Sequence, residues 1–297
     1  MAFDLYDQKV RCKIVHFVCY PDIMYKSGIL DVAFRTLMQP LHNGLADAYK
    51  AFCADDKLHF KIVYNTQVIP KPEVLLVLDS SFNPPHWGHH ALIEKGLRLY
   101  DGRSTQVLLL LAVNNADKAA APASFDKRME MMCLMADLLH KNGSAVSVGI
   151  TDYAKYVDKD IILRKHYKDA RTISFLVGFD TIVRIFAPKY YYPRLPSEAL
   201  ESFMASTELC CLTREGNHNL EEQMKYSSDI SNGVYEPNIP KSWGAKIHMM
   251  ENDKIFESIS SSAIRKAIAE GQTSEKLSKL LPLPIVDYIL SSKDQMF

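Results

Sequence analysis

Residues 74–90 read Val74-Leu75-Leu76-Val77-Leu78-Asp79-Ser80-Ser81-Phe82-Asn83-Pro84-Pro85-His86-Trp87-Gly88-His89-His90. An uninterrupted apolar run, then a turn built on Asn-Pro-Pro, then a segment of helical character from His89 to Leu99, is the order strand, tight turn, helix. A strand apolar on both faces belongs in a parallel sheet covered by helices on each side. The same run recurs along the chain as Gln106 to Val113, Ala145 to Ile150, Thr172 to Gly178, Glu208 to Thr213 and Ala245 to Met250. Strands of this kind alternating with helices predict an α/β fold, a Rossmann-like, doubly wound parallel sheet with helices on both faces.

Between the runs, Asp126 to His140 is predicted as a helix that stops at Lys141-Asn142-Gly143, with its methionines read as core. Ser261 to Glu270 is a short helix with serines at its start and Gly271 just past its end, and Pro284 to Leu290 marks a last one. Two regions depart from the repeat. Residues 1–72 carry strand-like stretches at Lys13 to Tyr20 and Leu58 to Asn65 around a helix near Leu41 to Ala54, and are expected to pack on the sheet edge as an N-terminal extension. Residues 73–297 form the main domain, with a flexible insertion expected at 215–243, where Asn, Ser, Glu, Gly and Pro are frequent.

The chain has 297 residues, enough to bury a full core, with 35 basic and 35 acidic side chains and so zero formal charge. No basic excess is present to neutralise a nucleic-acid backbone, whereas a small anionic substrate needs only a few local cations. With 47% hydrophobic and 24% charged residues the chain lies far from the compositions of disorder. The longest strongly apolar run, Val107 to Val113, falls short of the roughly 20 residues of a membrane span. The N-terminal residues carry Asp4 and Asp7 and no h-region, and the six cysteines show no CxxC spacing. Reduced thiols in a cytoplasmic or nuclear protein are expected.

The string Asp79 to His90 carries the chemistry. Ligands of open parallel sheets bind outside the carboxyl ends of the strands, and a helix N-terminus there presents free N–H groups to phosphate. His86 and His89, three apart at the helix start, share a face, and Gly88 allows close backbone approach. Two imidazoles aimed at one phosphate is one reading; a turn and helix cap with incidental histidines is another. A metal site at His86, His89 and His90 has only Glu94 nearby to support it. Near the C-terminus, Ser260, Ser261 and Ser262 can cap a helix N-terminus and leave N–H groups for an anion, while Arg265, one turn in, can fork onto phosphate oxygens. That segment also reads as a capped surface helix with a solvated Arg.

Ser81-Phe82-Asn83-Pro84 followed by His86-x-x-His89 resembles the (T/H)-x-G-H signature of the nucleotidylyltransferase superfamily, in its nicotinamide mononucleotide adenylyltransferase branch. Ile259-Ser260-Ser261-Ser262-Ala263-Ile264-Arg265 is similar to that family's I-S-S-T-x-(I/V)-R, with Ser262 keeping the hydroxyl of the usual Thr. Between them, Gly178-Phe179-Asp180 resembles the family's G-A-D. Tyr191 stands where a Trp often stacks on the pyridine ring, with Tyr190, Tyr192 and Trp87 as alternatives. Arg214 lies in a stretch like x-x-R-x-G, and Lys118 matches the Lys that follows the second strand. The resemblance covers residues 73–292 and not 1–72.

The resemblance implies attack of a mononucleotide 5′-phosphate on the α-phosphorus of ATP, giving a dinucleotide and pyrophosphate, with Mg²⁺ carried mainly by the triphosphate. It implies His86, His89 and Arg265 in catalysis. ATP would be bound by Ser81, Phe82, Gly88, His89, Lys118, Gly178, Asp180, Arg214, Ser260, Ser261, Ser262 and Arg265. The acceptor, nicotinamide or nicotinate mononucleotide, would be bound by Ser80, Ser81 and Tyr191. Expected partners are these small molecules, with no nucleic acid and no membrane, and self-association is left open. The competing class is a regulatory or chaperone-like protein that keeps the ATP pocket and has lost transfer.

Overall fold

The structure is a computed structural model and describes residues 44–113, 122–216, 218–292 and 296–297. From Leu45 to Phe297 the chain forms one compact unit. The expected strand at Lys13 to Tyr20 and the candidate Lys118 lie outside the described residues. The strands are β1 (Phe60–Asn65), β2 (Val74–Asp79), β3 (Thr105–Ala112), β4 (Ala145–Thr151), β5 (Thr172–Gly178), β6 (Thr207–Leu212) and β7 (Ile247–Met250). They form one sheet in the order β1-β4-β3-β2-β5-β6-β7. All pairs are parallel except β1 with β4, which places residues 60–65 as an antiparallel strand on one edge. The chain winds from β2 outward through β3 and β4, then returns past β2 to β5 and on to β6 and β7. The reversal between β2 and β5 is the switch point at which doubly wound sheets open a crevice.

The predicted parallel strands all form because their side chains are covered on both faces: Leu75 to Val77, Leu108 to Leu110, Val146 and Phe175 are fully buried. The principal helices are α1 (Leu45–Cys53), α2 (Trp87–Leu99), α3 (Phe125–Lys141), α4 (Tyr156–His166), α5 (Phe179–Ile185), α6 (Leu220–Ser231), α7 (Ser261–Ala269) and α8 (Leu283–Ser291). The methionines of α3 are core, as expected: Met129, Met131, Met132 and Met135 are fully buried. Among the described residues no helix is long and apolar enough to cross a membrane.

Residues 215–243, expected as a mobile insertion, instead carry α6, which buries Gln223, Tyr226 and Ile230 on one face, and a following segment that buries Ile239 and Trp243. The signal for this helix is present in the sequence: Asn219 Oδ1 accepts the Glu222 backbone N–H at 2.8 Å, and the Glu222 carboxylate accepts the Asn219 N–H at 3.2 Å. The polar composition around this Asn-x-x-Glu capping box masks it.

Candidate active site

A cleft of about 1060 Å³ opens at the carboxyl ends of β2 and β5. Its walls come from the loop after β2, the start of α2 and the start of α7, and from α4, α5 and residues 190–191, with Arg214 after β6 beside the start of α5.

The loop after β2 is held from beneath. Phe82 has φ 46°, a left-handed conformation unusual for a bulky residue, and its side chain is wholly buried, the ring centroid 5.1 Å from that of His89. Burial of a large ring is what maintains that backbone. Expected to meet ATP, Phe82 lies under the cleft with its ring turned into the core.

Helix α2 then begins with His86 as its N-cap. His89 Nδ1 accepts the His86 backbone N–H at 3.1 Å, so in the neutral ring the proton sits on Nε2, which donates to Ser80 Oγ at 3.0 Å. One histidine is thereby locked in rotamer and tautomer by two bonds local to the motif. The His86 ring packs 3.8 Å from that of His89. Its Nδ1 is buried and has no hydrogen-bond partner among the described residues, and His86 lines the cleft. Burial first, then the proximity of His89 and Arg214, holds its pKa well below the ordinary imidazole value, so it is a neutral ring at pH 7. Gly88 makes this possible, since a Cβ there would stand 3.0 Å from His86 Nδ1.

The second motif docks directly onto the first. Ser261 Oγ donates to the Pro84 carbonyl at 3.1 Å, and Arg265 donates to the Asn83 carbonyl at 3.0 Å and to Ser262 Oγ at 3.1 Å. Ser260 caps α7 by accepting the Ala263 N–H at 3.2 Å. Segments 177 and 182 positions apart in sequence become one wall, with a guanidinium and two helix N-termini facing the same space.

Arg214 also lines the cleft. Gln223 of α6, buried, pins its backbone from both directions: Oε1 accepts from Arg214 N at 3.1 Å and Nε2 donates to Arg214 O at 2.8 Å. The side chain reaches Asp180 at 3.4 Å. Asp180 itself is half-exposed at the start of α5, behind Arg214 and outside the cleft lining. Gly178 lines the cleft as the N-cap of α5.

On the opposite wall Tyr191 is half-buried, and its hydroxyl donates to the Ile185 carbonyl at 2.6 Å, fixing the ring. Burial, with Tyr190 adding to it, raises its pKa to about 12. Tyr190 also lines the cleft, whereas Tyr192 is 88% exposed outside it and Trp87 turns away to donate to the Ser278 carbonyl at 3.0 Å. Lining residues that the sequence alone does not point to include Lys159, Tyr156, Arg184 and Arg128. Arg128 donates to the Ser81 carbonyl at 3.3 Å, and its Nε is buried with no hydrogen-bond partner among the described residues. Among the described residues no group of three or more His, Cys, Asp or Glu is arranged to hold a metal ion.

Residues 77–267 match the cytidylyltransferase-like family. A curated Schizosaccharomyces pombe protein named "Putative nicotinamide mononucleotide adenylyltransferase" is 33% identical over 247 residues, which cover 82% of this chain and 93% of that protein. Among solved structures, Plasmodium falciparum nicotinic acid mononucleotide adenylyltransferase complexed with NaAD aligns over 73% of this chain and 95% of its own. It does so with a TM-score of 0.50 at 16% identity, a likeness of fold.

Proposed function

Because the chain belongs to the cytidylyltransferase-like family, and within it to the nicotinamide mononucleotide adenylyltransferases, we propose that it transfers AMP from ATP to a pyridine mononucleotide. An oxygen of the acceptor's 5′-phosphate bonds to the α-phosphorus of ATP, and the bond from that phosphorus to the bridging oxygen breaks. Dinucleotide and pyrophosphate leave, and no covalent enzyme intermediate is required. The acceptor is nicotinamide or nicotinate mononucleotide.

The observation that carries this reading is the docking of α7 onto the loop after β2. It gathers Arg265, the serine-capped N-terminus of α7, the N-terminus of α2 and two imidazoles around one space. A triphosphate bears several negative charges and needs many convergent N–H donors, and positioned donors act without reorganising as charge develops. In this proposal His89 Nε2–H turns its hydrogen bond from Ser80 Oγ to the α-phosphate, and the His86 ring, neutral by burial, lies against it. Arg265, Ser260, Ser261 and Ser262 hold the departing pyrophosphate end, and Arg214 holds the triphosphate with Asp180 behind it. Mg²⁺ enters with the triphosphate as part of the substrate and neutralises its charge. Ser80, Ser81 and Tyr191 receive the acceptor, Tyr191 stacking on its pyridine ring.

Purified protein incubated with ATP, Mg²⁺ and nicotinamide mononucleotide should form NAD, read with an NAD-dependent dehydrogenase, together with one pyrophosphate per dinucleotide. ATP binding without dinucleotide from either pyridine mononucleotide overturns the proposal in favour of a binding protein on the same fold.

A further inference from the structure

The wall opposite the histidines holds an ion pair that the roles above leave unassigned. Side chains alternate along a strand, so Asp79 at the end of β2 points to the same face as Leu75 and Val77, which pack with Phe179 and Ile182 of α5. Ser80 points the other way, to His89 and α2. Asp79 meets Lys159 of α4, and the side chains are only 11% and 3% exposed. The ammonium lies 5.2 Å from the centroid of the Tyr156 ring, one turn earlier on α4. Asp79, Lys159 and Tyr156 all line the cleft on the wall that carries Tyr190 and Tyr191. Burial and the adjacent Asp79 charge push the Tyr156 hydroxyl well above its usual pKa, so it remains a neutral donor.

We infer that the Asp79–Lys159 pair reads the substituent on the acceptor's pyridine ring and selects a carboxamide over a carboxylate. The inference rests on the adenylyl transfer proposed above. The pair carries no net charge and presents an acceptor oxygen beside N–H donors, the complement of an amide's NH₂ and C=O. A carboxylate has acceptors only. Against this wall it faces the Asp79 carboxylate at a depth where salt screens little, and it can engage Lys159 only by drawing it from its partner. A solitary lysine would prefer the carboxylate, so Asp79 sets the sign of the preference. The acceptor selected is nicotinamide mononucleotide.

The test is kcat/KM for nicotinamide and nicotinate mononucleotide at saturating MgATP, with both dinucleotides separated chromatographically. The wild type should favour nicotinamide by about tenfold or more. Asp79→Asn keeps the shape of the side chain and leaves Lys159 uncompensated, and should move the ratio toward nicotinate by at least about tenfold. Asp79→Asn with Lys159→Gln removes both charges of the pair and leaves no uncompensated charge at the pair should the single variant fail to fold, and should shrink discrimination to within about threefold. The inference is overturned by a wild type that prefers nicotinate, by ratios unchanged in the variants, or by equal losses for both acceptors, which would assign the pair to the acceptor phosphate or to the scaffold. A wild type that makes neither dinucleotide overturns the proposed function itself, which separates the two failures.

Discussion

Gly88→Ala separates the chemistry of the histidine pair from the stability of the fold. Gly88 is the second residue of α2 with no positive φ, so alanine suits its backbone and contributes roughly 1 kcal/mol of helix propensity. The added Cβ would stand 3.0 Å from His86 Nδ1, 3.1 Å from its Cε1 and 3.8 Å from the Ile259 carbonyl. Ordinary contact begins at about 3.5 Å, so the imidazole must give by a few tenths of an ångström, and the His89 ring at 3.8 Å limits where it can go. The resulting strain, of order 1 kcal/mol, offsets the propensity gain, and net stability should stay within about 1 kcal/mol of wild type, a few degrees in Tm. Turnover is more sensitive, because misplacement near 1 Å can cost about 10²-fold. A shift of a few tenths predicts about a tenfold loss in kcat. Thermal denaturation and the pyrophosphate-release assay run on the same preparation decide it. A variant as stable and as active as wild type would refute the placement of His86 at the reacting phosphate, and activity lost only in step with Tm would reduce Gly88 to packing.

Three further expectations rest on the same geometry. His89→Ala removes a donor locked by two local hydrogen bonds, and should cost about 3 kcal/mol in the barrier, roughly 10²-fold in kcat, with KM for ATP little changed; near wild-type turnover would take His89 out of the chemistry. Tyr191→Ala should raise KM for the pyridine mononucleotide about 5- to 30-fold and leave KM for ATP nearly unchanged. Tyr191→Phe loses only the bond to the Ile185 carbonyl, about 1 kcal/mol, and should retain most of the affinity; an unchanged acceptor KM in the alanine variant would move the stacking role to Tyr190. For His86 the folded pKa is depressed, so below about pH 6.5 the unfolded chain takes up a proton that the native ring refuses. Its contribution to stability is complete above that pH and falls by up to about 1.4 kcal/mol per pH unit as acid is added. Denaturant titrations at pH 7 and pH 5.5 should show a smaller loss for His86→Gln than for wild type.

Much of this protein is legible in its sequence, and what is missing has a physical pattern. The buried parallel strands and helices α2, α3, α7 and α8 announce themselves because each is defined by local apolar runs, caps and stops. Helix α4 does not, because its inward face carries Lys159 and Asp160 where the apolar pattern expects hydrophobes. Those charges are tolerated by partners far off in sequence: Asp79 for Lys159, and Arg164 with Thr207 for Asp160. Helix α6 is hidden by polar composition although its capping box is written out, and its function, pinning Arg214 through Gln223, exists only once β6 and α6 pack.

The site divides along the same line. Local sequence determined the fold class, the strand-turn-helix at 74–99 and the hydrogen bonds of His86, His89 and Ser80, which span nine residues or fewer and need nothing beyond the turn and first helical turn. Tertiary structure alone decided that Ser261 and Arg265 meet the Pro84 and Asn83 carbonyls, that the Phe82 ring lies under the cleft, that Tyr191 and not Tyr192 faces it, and that Asp79 finds Lys159. These contacts form between ends of different strands, and which strand ends are neighbours is set by the order in which the sheet is wound. No short window of sequence contains that order, because it depends on burying every strand between two layers of helix at once.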